Sequence, residues 1–222
     1  MKAGVLAVVD GSFTAVDSFV ETVTDDGVDL ERCLTIDRVF SLPSGEMAFA
    51  GRAAADRLAT GSTTSIVDGD IVVSEEARPV TRHTAFVGVP GEFVAVDSTR
   101  GTFALDLIAD DTGTDIARAT LDLDAFYEAH EAATPWKAGF EGVGDDDVNG
   151  VFHGADLRTD HDLQGILDRS RLTQVGLTYG YGGDEVKMTA SRSGYVEVYR
   201  PTAFDSAAYL EYLIDEVVPH VV

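Results

Sequence analysis

Residues 65–73 read SIVDGDIVV, and the Asp68-Gly69 pair at their centre decides the architecture. An Asp-Gly pair between β-branched runs supplies the two positive-φ positions of a tight hairpin turn. Similar punctuation recurs along the chain. Pro43, Ser44 and Gly45 separate two short apolar runs, and Pro90-Gly91 interrupts AFVGVPGEFVAVD (85–97). Gly182-Gly183 and Ser193-Gly194 divide the stretch from Val175 to Tyr199. Two-residue connections join antiparallel neighbours, because parallel strands need long crossovers. This pattern argues against a doubly wound nucleotide-binding fold.

Helices are expected between the hairpins. In residues 12–23, SFTAVDSFVETV, the spacing of Phe13, Val16, Phe19, Val20 and Val23 is helical, and Gly27 suits a stop. The alanine-rich run 49–61, FAGRAAADRLATG, reads as a second helix ending at Gly61. LDLDAFYEAHEA (121–132) and TDHDLQGILDRS (159–170) give two shorter ones with aspartates placed to cap them. In the last, Thr202 and Asp205 precede Tyr209, Leu210, Leu213, Ile214 and Val217, and Pro219 prevents extension. The reading is α+β, mostly antiparallel sheet built from hairpins with about five interspersed helices. ADDTGTD (109–115) separates two subdomains of similar size, residues 1–113 and 114–222, unless the chain runs as one continuous domain.

The charge is one-sided: 16 Lys plus Arg against 39 Asp plus Glu gives 16 − 39 = −23. Lys2, Lys137 and Lys187 are the lysines, and the acids are spread along a chain that is 45% hydrophobic, so this is no disordered acidic tail. Such a field weakens a compact state at ordinary ionic strength. At about 1 M salt the screening length falls to roughly 3 Å and the repulsion fades. The composition therefore suits a halophilic, archaeal cell with a high-salt cytoplasm. Cys33 is the sole cysteine, which excludes an intramolecular disulfide. No run reaches the 18 or so apolar residues of a membrane span. A cytoplasmic, soluble protein is expected, with no membrane partner.

Chemistry-bearing residues are few. Asp10 ends the apolar run KAGVLAVVD and Asp97 ends FVAVD, places where metal-dependent hydrolases and nucleases keep carboxylates. For Asp10 the simpler task is capping a helix beginning near Ser12. GDDDVNGVFHGADLRTDHDL (144–163) gathers Asp145, Asp146, Asp147, His153, Asp156, Asp160, His161 and Asp162; His153, Asp156, Asp160 and His161 are its candidate metal ligands. The spacings match neither the calcium loop nor H-E-x-x-H. No cofactor is predicted, a divalent cation being the exception this cluster leaves open. Arg158, Arg169, Arg171, Arg192 and Arg200, with Tyr179, Tyr181, Tyr195 and Tyr199, are the candidates for nucleic acid, which the net charge disfavours. Trp136 reads as a core anchor. The leading expectation is a non-catalytic binding or assembly protein with a protein partner or homo-oligomer. A divalent-metal hydrolase or nuclease is the alternative, and a nucleic-acid-binding regulatory module a further one.

Overall fold

The computed structural model describes residues 1–142, 148–167 and 169–222, the side chains at 162 and 164 excepted. Its strands are β1 (Ala3–Asp10), β2 (Phe19–Asp25), β3 (Val28–Ser41), β4 (Met47–Val67), β5 (Asp70–Val89) and β6 (Phe93–Val96). After α1 (Phe103–Thr112), β7 (Asp115–Arg118) and α2 (Leu123–Ala129) come β8 (Thr134–Gly142), β9 (Asn149–His153) and α3 (His161–Leu167). The chain closes with β10 (Ser170–Tyr181), β11 (Asp184–Ser191), β12 (Tyr195–Arg200) and α4 (Ser206–Tyr212). One open antiparallel sheet runs β2-β3-β4-β5-β6-β1-β12-β11-β10-β8-β9, and β7 also pairs β1.

The hairpin reading holds at each turn. Asp68 and Gly69 take φ of 54° and 92°, and Gly182 and Gly183 take 60° and 90°, the conformations a two-residue turn requires. The fold is α+β in a strand-rich form, 56% strand against 20% helix. Four α-helices, rather than about five, lie among the described residues.

Two expected helices are strands. Residues 19–25 form β2, with Phe19 and Val23 opposite Leu34 and Leu30 of β3. The helical spacing was fortuitous, for Val20 is 71% exposed. The alanine-rich run lies within β4, paired by β3 on one side and β5 on the other. Alanine's helix preference is a fraction of a kcal/mol per residue, and two ladders of backbone hydrogen bonds override it. No helix follows Asp10, so its capping role lapses.

Helix α1 covers one face of the central strands, over Val5, Ala7, Phe49, Ala53, Phe86 and Val96. The opposite face is covered by α2, α4 and the C-terminal turns, whose Phe126, Tyr209, Leu210 and Leu213 pack with Leu6, Val87, Ala95, Leu177, Met188 and Val196. This second cluster draws on residues before and after 113. Strands β12, β11, β10 and β8 are thus covered by helices on one face, and none of the described helices lies across their other face.

A π-helical turn, Leu213–Val217, follows α4 and carries two acids, Asp215 exposed and Glu216 half-buried. Tyr181 donates to Asp215 Oδ2 at 2.6 Å, and His130 Nε2 lies 2.8 Å from Glu216 Oε2. His130 Nδ1 is 2.7 Å from the Phe126 carbonyl, an obligate acceptor, so Nδ1 carries a proton. Burial opposes a charge on His130, but the bonds to Glu216 and Phe126 outweigh it and its pKa is raised above 6.5. A raised folded pKa gives stability that is fully present below the unfolded value and lost as pH rises through the folded one. The stability difference between wild type and His130→Gln is therefore expected to be full in mildly acid solution and to shrink as pH rises from about 6.5 through the raised folded value. Urea denaturation across that range checks it; a flat difference would mean no imidazolium forms.

Candidate binding face

Strand alternation sorts the C-terminal half-sheet. Val186, Met188, Ala190, Val196 and Val198 point into the core. Gln174, Lys187, Thr189, Tyr195, Glu197 and Tyr199 take the other side, which none of the described helices covers. Trp136 joins them where the β8–β10 register shifts between Gly176 and Leu177. Its indole donates to the Leu177 carbonyl at 3.3 Å and lies over Gly176, where a Cβ would sit 2.7 Å from the ring. Glycine at 176 lets the ring lie flat on the sheet.

The indole has three neighbours with affinity for π systems. Lys187 Nζ stands 4.5 Å above its ring centroid, Tyr199 meets it edge-on at 5.8 Å, and His153 is tilted at 6.3 Å. Beside this group is a concavity of about 340 Å³ lined by Arg118, Lys137, Gln174, Glu197, Tyr195 and Tyr199. Burial, then Glu197, pushes the Tyr195 and Tyr199 hydroxyls up to about 12, so both remain neutral donors near neutrality. Tyr195 spends its proton on Glu197 Oε2 at 3.0 Å.

Charge is distributed differently here from the rest of the chain. Two of the three lysines, Lys137 and Lys187, are on this face. With Arg118, Arg171 and Arg200 they outnumber Glu141, Glu185 and Glu197, in a protein of net charge −23. Arg200 approaches Glu185 at 3.6 Å with both side chains 66% exposed, a weak surface pair. Among the described residues, Arg118, Lys137 and Lys187 form no ion pair.

The five arginines singled out in the sequence separate by environment. Arg171 and Arg200 belong to this face. Arg158 instead stacks on Tyr127 and donates to the carbonyls of His130, Glu131 and Ala133. Arg192 binds the Leu172 carbonyl and Asp124, and Arg169 donates to Gly165 within its own helix end. The tyrosines divide too: Tyr179 bonds Tyr212 at 2.8 Å and Tyr181 bonds Asp215, on the covered side, while Tyr195 and Tyr199 are on the open one. Lys137, Lys187, Arg118 and Trp136 escaped the sequence reading as a group. The scarcity of lysine, and its place opposite Val186 and Met188 in the β11 alternation, was the available signal.

The carboxylate candidates do not converge. From the β1–β6 register, Asp10 and Asp97 lie at opposite ends of the strand pair, roughly 20 Å apart. Asp97 accepts the Thr84 hydroxyl at 2.6 Å and lines a separate concavity with Cys33 and His83, which stand on either side of Ala54. Asp156 accepts the Arg158 amide and Asp160 the Leu163 amide, both as local caps. His153 ends β9 beside Trp136, and His161 opens α3. Asp145, Asp146, Asp147 and the Asp162 side chain lie outside the described residues. Among the described residues no three His, Cys, Asp or Glu side chains are grouped to hold a metal, and no helix is long and apolar enough to cross a membrane. No protein-family model matches the chain, and neither does any curated protein.

Proposed function

We propose that this chain is a non-catalytic binding protein of a high-salt cell that takes single-stranded nucleic acid on its uncovered sheet face. The observation that carries the reading is Trp136 flanked by Lys187 and Tyr199 on a face enriched in basic groups. Tyr199, 39% exposed, offers a ring on which a base can stack, and Lys187, which covers the outer face of the Trp136 indole, offers charge to a phosphate. The two contributions respond differently to salt. Phosphate contacts release counterions and weaken steeply as salt rises. Stacking is worth about 1–3 kcal/mol per base and has no such penalty. In a salt-rich cytoplasm the rings must therefore supply most of the affinity, and the cations the orientation.

Trp136 is the chain's sole tryptophan, so its emission reports on the proposed site directly. Titration with short oligothymidylate and oligouridylate is expected to change that emission at about 0.1 M and at about 1 M KCl. Tyr199→Ala should weaken binding by about tenfold or more at both salts, the equivalent of one lost stacking contact. Lys187→Ala should matter most at low salt and make the salt dependence shallower. An unchanged emission and no binding at either salt would overturn the reading.

A further inference from the structure

A second feature, at the other end of the sheet, carries an inference independent of that reading. Strand β3 leaves β4 at the Arg32–Ala55 pair, yet β4 and β5 continue in register from Arg57–Val80 to Val67–Asp70. This arm is roughly 35 Å long from the strand rise. A two-stranded ribbon is marginal in water by itself, and among the described residues nothing covers this one: residues 62–76 are exposed throughout.

Its two faces differ. Register puts Leu58, Ile66, Ile71, Val73, Ala77 and Pro79 on one side, interrupted midway by Thr60, Ser62, Thr64 and the one charge, Glu75. Ile66, Ile71 and Val73 are 78%, 76% and 63% exposed. Arg57, Arg78, Glu76 and Asp70 are on the other side, with Val67, Val72 and Val80, which are 50%, 41% and 38% exposed. The largest and barest aliphatic side chains of the arm are therefore on one face, and three of the four further residues there are small uncharged hydroxyl residues, whereas the other face carries four charges.

We propose that the apolar face of the arm is a dimerisation surface, covered by the same face of a second copy about a two-fold axis. The charge distribution selects this occupant. Two copies of net charge −23 can meet only where each has shed its acids, and this face has one carboxylate along its length. A basic partner would be matched by an acidic face instead. A two-fold contact uses one patch on both copies, which a single self-complementary face supplies. From strand rise and spacing each face projects roughly 350 Å². With side-chain relief, the pair buries on the order of the 1,000 Å² that a specific interface needs. Salt strengthens the contact twice over, by screening the copies' repulsion and by favouring apolar burial.

The test is the mass of the full chain by sedimentation equilibrium at about 0.1 M and about 1 M KCl. A dimer is expected, tighter at the higher salt. Ile66→Glu with Ile71→Glu should weaken it roughly a hundredfold or more, since four carboxylates would be buried together. Val72→Glu, on the opposite face of the arm, should leave the dimer intact and shows that a charge on the arm is tolerated. Both substitutions are at exposed positions, and unchanged circular dichroism confirms the fold. A wild-type monomer at both salts, or a dimer indifferent to the double substitution, would overturn the proposal. Capture of a different protein by a chain that remains monomeric would overturn it equally.

Discussion

Replacing Phe86 with alanine should lower the unfolding free energy by about 3–5 kcal/mol, the range for a fully buried phenylalanine. Phe86 is 1% exposed in β5, meets the Phe49 ring at 6.1 Å and belongs to the cluster beneath α1 with Leu34, Ala53, Phe103 and Ile108. The void left by the ring has little means of closing. Strand β4 is held in register by β3 and β5, and β5 is held again by β6. The ring also lies over Gly51, where a Cβ would collide with the Thr35 carbonyl and sit 2.5 Å from Phe86 Cζ. Gly51 and Phe86 thus form one packed unit across two strands. Urea denaturation checks the claim through a lowered midpoint at unchanged slope, the signature of lost stability in the same fold. A loss below about 1 kcal/mol would mean that the space beneath α1 collapses and that β4 is not rigidly held.

That packing explains what the sequence hid. In residues 49–61 the glycine and alanines are where a bulky ring and a helix press on a strand, so the signal looks like helix propensity. Small residues at Gly51, Ala53 and Ala55 are a tertiary requirement, which a local window cannot show. Helix α1 was obscured by its shortness. Phe103, Ala104, Leu105, Leu107 and Ile108 are buried while Asp106 and Asp110 are exposed one turn apart, an amphipathic period that runs for only ten residues. The turns were legible because Asp68-Gly69 and Gly182-Gly183 satisfy a backbone demand that is purely local. Asp205 was legible for the same reason, accepting the amides of Ala207 and Ala208 at 2.9 and 3.0 Å. The binding face was half legible. Alternation marks which residues share a side of a strand, but which side is left uncovered depends on where α2 and α4 pack.

Arg158 separates the structural arginines from the binding ones. Arg158→Ala is expected to cost about 2–4 kcal/mol of stability, as charge-assisted hydrogen bonds to several acceptors are lost at once. Its guanidinium serves the carbonyls of His130, Glu131 and Ala133 and the Tyr127 hydroxyl, and it stacks on the Tyr127 ring at 4.8 Å. Together these contacts tie the end of α2 to the turn before α3. Arg158→Lys should not restore the loss, because an ammonium cannot reproduce the planar fork that reaches several carbonyls. Arg171→Ala and Arg200→Ala should move stability by no more than about 0.5 kcal/mol, as exposed surface positions do. For nucleic acid the order reverses. Folded Arg158→Ala should bind oligonucleotide as wild type does in the Trp136 titration, whereas the Arg171→Ala, Arg200→Ala pair should bind more weakly at low salt. If Arg158→Ala kept its stability and lost binding instead, the α2 turn rather than the Trp136 face would be where nucleic acid sits. The tyrosine that counts would then be Tyr127 and not Tyr199.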